Sequence, residues 1–182
     1  MKTLACVAAV AALLAATPAA GVELAPDESP AALMVAADAV AEALDAAAPV
    51  LEKEGLEPGS YWWNDDAPSS GAVEVRISIA DQLAFVYRGG ELIGVASVST
   101  GKAGKDTPPG IFPILEKKTF HRSRKYDDAP MPFMQRLDNF GIALHAGANP
   151  GYPASHGCIR LPSGFAKKLF AITRVGDRVT VA

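Results

Sequence analysis

At Gly71 the spacing of apolar residues changes from helical to alternating, and that change fixes what the chain can build. Before it, residues 29–54 are Ala-rich, with Leu33, Ala37, Val40, Ala41, Leu44 and Ala48 recurring at helical spacing. Ser29-Pro30 reads as an N-cap with proline at the first helical position, and Pro49 is expected to break or kink the segment. Gly55, Pro58-Gly59, the trio Tyr61-Trp62-Trp63 and the run ending in Gly71 then punctuate a linker. The two tryptophans suit either a carbohydrate-stacking platform or the pinning of a linker onto a domain, and pinning is the commoner use. After Gly71, Val73, Val75, Ile77 and Ile79 alternate with Glu74, Arg76 and Ser78. Residues 83–87 and 92–97 flank Arg88-Gly89-Gly90-Glu91, a hairpin signal, and residues 111–115, 142–145 and 178–181 add short extended pieces. Residues 162–173 read as one helix with Phe165, Leu169 and Phe170 inward. The expected class is mainly β, a β-sandwich or partly closed barrel with one helix in its C-terminal region, preceded by an Ala-rich helical segment.

Three regions follow: residues 1–20, 21–70 and 71–182. In the first, Lys2, an apolar run over residues 4–16 and the small-residue stretch Thr17-Pro18-Ala19-Ala20 read as a cleaved signal peptide, the run being too short for a bilayer. Export to the periplasm or cell envelope is therefore expected. Charge divides the remainder. Residues 21–70 hold eleven acids against Lys53 alone, a net of about -10, whereas residues 71–182 carry fifteen bases against nine acids, about +6. A positive field gathers anionic partners. Nucleic acid is disfavoured in an exported chain without interleaved aromatic and basic repeats. The acidic stretch reads as a solvated spacer, or as a segment folded back on a basic cleft to restrain it.

Loss of Cys6 with the leader leaves Cys158 alone, so no internal disulfide accounts for it. It stands in Ser155-His156-Gly157-Cys158-Ile159-Arg160, with His145 upstream across a Gly/Pro-rich loop. A thiol attacks carbonyls as its thiolate, which needs a nearby base or positive field, and either imidazole can supply one. Gly157 lets the backbone approach a reacting carbonyl, which makes the amides of Gly157 and Cys158 candidate oxyanion donors. Arg160 suits bidentate capture of a carboxylate. Ser155 and Tyr152 are further candidates for substrate contact, with Met131 at the entrance. A zinc site built from His121, His145, His156 and Cys158 is the competing arrangement, but no metal-type spacing supports it.

These residues, with Gly141-Ile142-Ala143-Leu144-His145, Ser99-Thr100-Gly101-Lys102 and Thr107-Pro108-Pro109-Gly110, resemble the L,D-transpeptidase (YkuD-type) catalytic domain over residues 73–181. His121-Arg122-Ser123 and Ala129-Pro130-Met131-Pro132 look like the envelope-protein branch of that family. Only nine residues separate His145 from Ser155, where many relatives carry a longer insert. The resemblance implies Cys158 as nucleophile and His145 as base, oriented by the backbone carbonyl that follows it. His156 would be a further catalytic residue, and the segment holding His121 and Tyr126 a lid that selects substrate. Ser99-Thr100-Gly101-Lys102 is read as structural turn chemistry.

By that resemblance the chain is a peptidoglycan L,D-transpeptidase, working in cell-wall organisation and cell shape. It would form a Cys158 thioester with a tetrapeptide stem and transfer it to an amine, giving a 3-3 cross-link or an envelope-protein tether. No metal or organic cofactor is implied, and carbapenems are expected covalent inhibitors. The alternatives are a hydrolytic L,D-carboxypeptidase, a non-catalytic peptidoglycan-binding module and a zinc-dependent envelope hydrolase.

Overall fold

The computed structural model describes residues 25–182, so the leader read over residues 1–20 and Cys6 lie outside the described residues. Helix α1 (Pro30–Glu54) begins where the cap residues place it. Ser29 Oγ accepts the Ala32 N–H at 3.2 Å, and Gly55, at φ 53°, ends the helix by donating its N–H to Leu51 O. Of the expected break or kink at Pro49, the break does not occur, and the helix runs on through it. The proline and Asp45, whose carbonyl it leaves without a donor, both face solvent, where water serves instead. The buried stripe is also rotated: Ala32, Ala36, Val40, Ala43 and Ala47 face inward, and of the stripe read from sequence only Val40 is buried. Alanines at the contact let the helix axis approach a sheet closely, while the larger Leu44, Val50 and Leu51 pack at its flanks.

Ten strands form two sheets. The larger comprises β1 (Tyr61–Trp63), β2 (Val73–Ser78), β3 (Leu83–Arg88), β4 (Glu91–Ser97), β5 (Gly110–Pro113) and β10 (Arg178–Val181), in the order β1-β4-β3-β2-β10-β5. The smaller runs β6 (Glu116–Lys118), β7 (Met134–Arg136), β8 (Ala143–Ala146) and β9 (Ile159–Leu161), in that order. Gly89 and Gly90, at φ 60° and 84°, form the two-residue connection of the β3–β4 hairpin. The strands β6, β7 and β9 escaped the sequence reading because three residues cannot display an alternating period.

Val75, Ile77, Val86, Phe112 and Val179 from the larger sheet meet Leu144, Ile159 and Leu161 from the smaller, with Phe165 and Leu169 of α2 (Ser163–Ile172) completing this core. The opposite face of the larger sheet offers Leu83, Phe85, Tyr87 and Val95, which α1 covers through Ala43 and Ala47. Strand β3 is therefore buried on both faces, as its unbroken apolar run Leu83-Ala84-Phe85-Val86-Tyr87 requires.

Residues 25–70 are thus built into the fold. Besides the α1 layer, β1 pairs with β4 (Tyr61 opposite Ala96), and Trp63 packs edge-on to Phe165 with centroids 5.3 Å apart. The tryptophans pin, as read. Neither the solvated spacer nor the restraint on the cleft describes residues 25–70, because α1 covers the far face of the sheet, β1 extends its edge and none of these residues lines the cleft.

Candidate active site

One face of the smaller sheet forms the floor of a cleft of about 1370 Å³. Strands β8 and β9 run parallel, with His145 opposite Arg160, and Cys158 immediately precedes β9. All three histidines of the chain and Cys158 line this cleft.

The turn carrying Cys158 is held at nearly every backbone position. Ser99 exchanges both backbone hydrogen bonds with Arg160, at 3.1 and 2.9 Å, and Lys102 N–H donates to Ser155 O at 3.1 Å. Thr107 Oγ1 accepts from Gly101 N–H at 2.9 Å and donates to Gly157 O at 2.8 Å. The Ser99 to Lys102 turn is structural, as expected, and its task is to clamp the motif. Gly157 sits at φ 113°, a conformation that favours glycine, whereas a Cβ there would meet closely only the movable tip of Ile142, Cδ1 at 2.7 Å. Ser155, almost wholly buried, spends its hydroxyl inside the turn: Oγ donates to Cys158 O at 2.5 Å and accepts the Gly157 N–H at 3.0 Å. The Gly157 amide is therefore engaged at rest, which leaves the Cys158 amide as the freer of the two candidate donors.

His145 is buried, and its Nδ1 lies 2.8 Å from Ala146 O. A carbonyl only accepts, so Nδ1 carries the proton and Nε2 keeps its lone pair. Burial is the main reason its pKa falls below the ordinary imidazole value. The Ala146 carbonyl opposes that fall, while Arg160 and His121 add to it. The Cys158 thiol moves the other way: burial raises its pKa above the usual thiol range, Ala143 N–H and Arg160 lower it, and Asp138 raises it. Its hydrogen goes to Gly141 O at 3.3 Å. Burial thus works against thiolate and imidazolium alike.

His156 is exposed and stacks on Tyr126 at a centroid distance of 4.3 Å. Tyr126 belongs to a strap from His121 to Met131, closed by Met131 N–H to His121 O at 2.8 Å and Ser123 N–H to Ala129 O at 2.9 Å. Arg160 rests its aliphatic stem beside Gly147, and among the described residues its guanidinium makes no hydrogen bond or ion pair, so it remains open to an anionic guest. Met131 packs with Met134, Ala143 and Cys158. Tyr152 does not join the site; its ring is 60 % exposed, outside the cleft lining, and its carbonyl accepts from Ser99 Oγ at 2.7 Å. Among the described residues no three His, Cys, Asp or Glu side chains come together in a metal-holding group.

Sequence reasoning missed Asp138. This buried carboxylate accepts three backbone N–H bonds through Oδ1, from Phe140 at 2.9 Å and from Gly141 and Ile142 at 2.8 Å each. It thereby fixes the turn that presents Gly141 O to the sulfur. The signal was present, since Asp138-Asn139-Phe140-Gly141 is an Asx-turn pattern. Also missed were Arg136, Glu116 and Lys118, which line the far end of the cleft on β7 and β6.

A family model described as the L,D-transpeptidase catalytic domain matches residues 72–181. No curated protein matches. Among solved structures, an L,D-transpeptidase (Yku) from Stackebrandtia nassauensis is 30% identical, with 65% of this chain and 60% of that chain covered and a TM-score of 0.57. L,D-transpeptidase 1 from Mycobacterium tuberculosis is 26% identical over 60% of this chain and 61% of that chain, with a TM-score of 0.53. A structure of L,D-transpeptidase LdtMt1 in complex with imipenem gives 26% identity, 61% and 59% coverage and a TM-score of 0.56. The chain thus spans about 60% of the length of these structures.

Proposed function

Since the chain belongs to the L,D-transpeptidase catalytic-domain family, we propose that it is a cysteine-dependent peptidoglycan transpeptidase of the cell envelope, with Cys158 as nucleophile and His145 as general base. The observation that carries this reading is the pairing of β8 with β9. It sets a thiol and an imidazole of fixed tautomer on one cleft floor, with the lone pair of Nε2 left to take a proton.

The Cys158 thiol gives its proton to His145 Nε2 as sulfur adds to the carbonyl of the third residue of a tetrapeptide stem. The oxyanion is met by the Cys158 amide, and by Gly157 N–H once it leaves Ser155; losing one such donor typically costs about 10²–10³ in rate. The tetrahedral adduct collapses, the C–N bond breaks, and His145 returns its proton to the departing D-alanine amine, leaving a thioester. An acceptor amine then loses its proton to His145 and attacks, expelling the Cys158 sulfur, which recovers the proton. A second stem as acceptor gives a 3-3 cross-link, an envelope protein gives a tether, and water gives carboxypeptidase action. Arg160 offers the unpaired cation for a stem carboxylate, and His156 with Tyr126 closes one wall of the cleft. Export by a leader over residues 1–20 is part of this reading.

The test is intact-protein mass after incubation with imipenem. Addition of one inhibitor mass to the wild type, absent in Cys158→Ala, is expected. An unmodified wild type, or equal modification of Cys158→Ala, overturns the assignment. Cross-link profiles of isolated wall unchanged by Cys158→Ala would instead favour a binding module, and activity abolished by chelation would favour the zinc hydrolase.

A further inference from the structure

The loop that joins the two halves of the site is held from behind. Residues 147–154 carry the chain from β8 to the Cys158 turn, and Gly147 and Ala148 line the cleft. Gly147 N–H donates to Leu161 O at 3.0 Å, and the far end is tied by Ala154 and Ser155, whose N–H groups both donate to Thr100 O. Among the described residues, the only hydrogen bonds of residues 148–151 are those of the Asn149 side chain. Gly151 N–H donates to its Oδ1 at 2.9 Å, which fixes the orientation of the amide and turns Nδ2 toward Ser97 Oγ, 3.1 Å away.

Three segments meet at Ser97. This residue ends β4 and is buried; its hydroxyl donates to Glu57 O at 2.9 Å and accepts Gly59 N–H at 2.8 Å as well as Asn149 Nδ2. One hydrogen and two lone pairs are thereby all in use. Glu57 and Gly59 belong to the connector between α1 and β1, and Pro58 between them lies against the loop: a Cβ at Gly151, φ 89°, would meet Pro58 Cγ at 2.8 Å. Packing is otherwise loose, for a cavity of about 120 Å³ lies here, walled by Leu56, Pro58, Gln82, Ser97, Asn149 and Gly151. Hydrogen bonds more than close packing therefore set the position of the loop.

The other side of the loop supports Arg160. A Cβ at Gly147 would meet Arg160 Cγ at 3.0 Å and its Cβ and Cδ at 3.2 Å, so the aliphatic stem lies on the Gly147 backbone, two residues from Asn149. We propose that Asn149 is a positioning residue for Arg160, anchored by the α1–β1 connector through Ser97, so that residues 57–59 behind the loop help set how the cleft holds a stem carboxylate. This rests on the acyl-transfer reading above, in which Arg160 takes that carboxylate. Loss of the anchor leaves the thiol and its amide in place, because the Cys158 turn is clamped separately by Ser99, Lys102 and Thr107. Substrate and transition state are then weakened alike, which raises KM and spares kcat.

The full chain is assayed for D-alanine release from a soluble tetrapeptide stem ending in D-alanine, with kcat and KM separated and competent sites counted by imipenem adduct mass. Asn149→Ala and Ser97→Ala should each raise KM about three- to tenfold, the worth of one lost hydrogen bond, with kcat per competent site within about twofold. Both act through one contact, so the double variant should match the worse of the two. In an Arg160→Ala background, Asn149→Ala should leave kcat/KM unchanged. Ser29→Ala, which removes the α1 N-cap and keeps the junction, should lower Tm without moving KM. Multiplying effects in the double variant, a further loss without Arg160, a defect confined to kcat, or an equal KM shift in Ser29→Ala overturns the proposal. Unchanged KM in both single variants overturns it too, and the imipenem adduct then leaves the nucleophile standing. Absence of adduct and turnover in the wild type overturns the acyl-transfer reading as well.

Discussion

Asp138 is the residue whose replacement separates geometry from charge around the nucleophile. Its Oδ1 accepts the N–H groups of Phe140, Gly141 and Ile142, and Gly141 O in turn receives the Cys158 thiol. Three bonds to an ionised acceptor, at about 1.5–3 kcal/mol each, set an upper bound. Phe140 and Gly141 are exposed, so water can replace part of what Asp138→Ala removes, and a loss of about 2–4 kcal/mol is expected. For a chain of this size that lowers Tm by roughly 5–15 °C. Asp138→Asn keeps the acceptor oxygen and loses the charge, which weakens each bond by about half and costs about 1–2 kcal/mol. The two variants then diverge at the sulfur. Asp138 holds the Cys158 pKa up, so the amide variant should alkylate with iodoacetamide at lower pH than the wild type while retaining most of its stability. The rate of alkylation against pH, read by intact mass beside a thermal melt, measures both. An Asn variant whose profile stays put or moves to higher pH refutes the electrostatic argument. An Ala variant with the wild-type Tm refutes the structural one.

The remaining predictions concern the imidazole and the sheet. Because burial holds the His145 pKa below that of a free imidazole, the unfolded chain takes up a proton that the folded one refuses. That contribution to stability is complete above about pH 6.5 and is lost as pH falls through the lowered folded value. His145→Gln should flatten the acid side of a stability–pH curve from chemical denaturation, and an unchanged slope would show that other groups set it. Phe85→Ala, which empties a wholly buried position between α1 and the larger sheet, should cost about 3–5 kcal/mol in urea unfolding; a loss below about 1 kcal/mol would mean that α1 does not seal that face.

What the sequence made legible was what repeats or what sits close together in the chain. Residues 83–87 and 178–181 declared strands by composition and period, Ser29-Pro30 declared a helix start, and Gly89-Gly90 a hairpin, because each rests on local backbone preference. His145, Cys158 and Arg160 were legible because adjacent strands carry them and one short loop joins them. The six-stranded order was not, since β10 enters between β2 and β5 through pairings about 65 to 104 residues distant in sequence. The orientation of α1 misled because leucine outranks alanine in any hydrophobicity argument, whereas a close helix-to-sheet approach selects the smaller side chain. Arg136 and Glu116 carry no local signal at all. They meet in the cleft only through a register between strands of three residues each, and nothing within either segment announces its partner.

The burial that disfavours both a Cys158 thiolate and a His145 imidazolium bears on the order of events in the proposed reaction. Arg160 favours a thiolate but disfavours an imidazolium, so its charge does not stabilise the ion pair that a proton transfer in advance of attack would create. Burial opposes both ions. The negative charge is therefore best formed where donors await it, on the oxygen of the attacked carbonyl beside the Cys158 amide, rather than held on sulfur beforehand. Proton transfer to Nε2 then accompanies C–S bond formation, and substrate must first draw the thiol away from Gly141 O. On this account the Asp138 turn does more than shape the cleft: it keeps the thiol protonated until a carbonyl arrives to accept the electron pair.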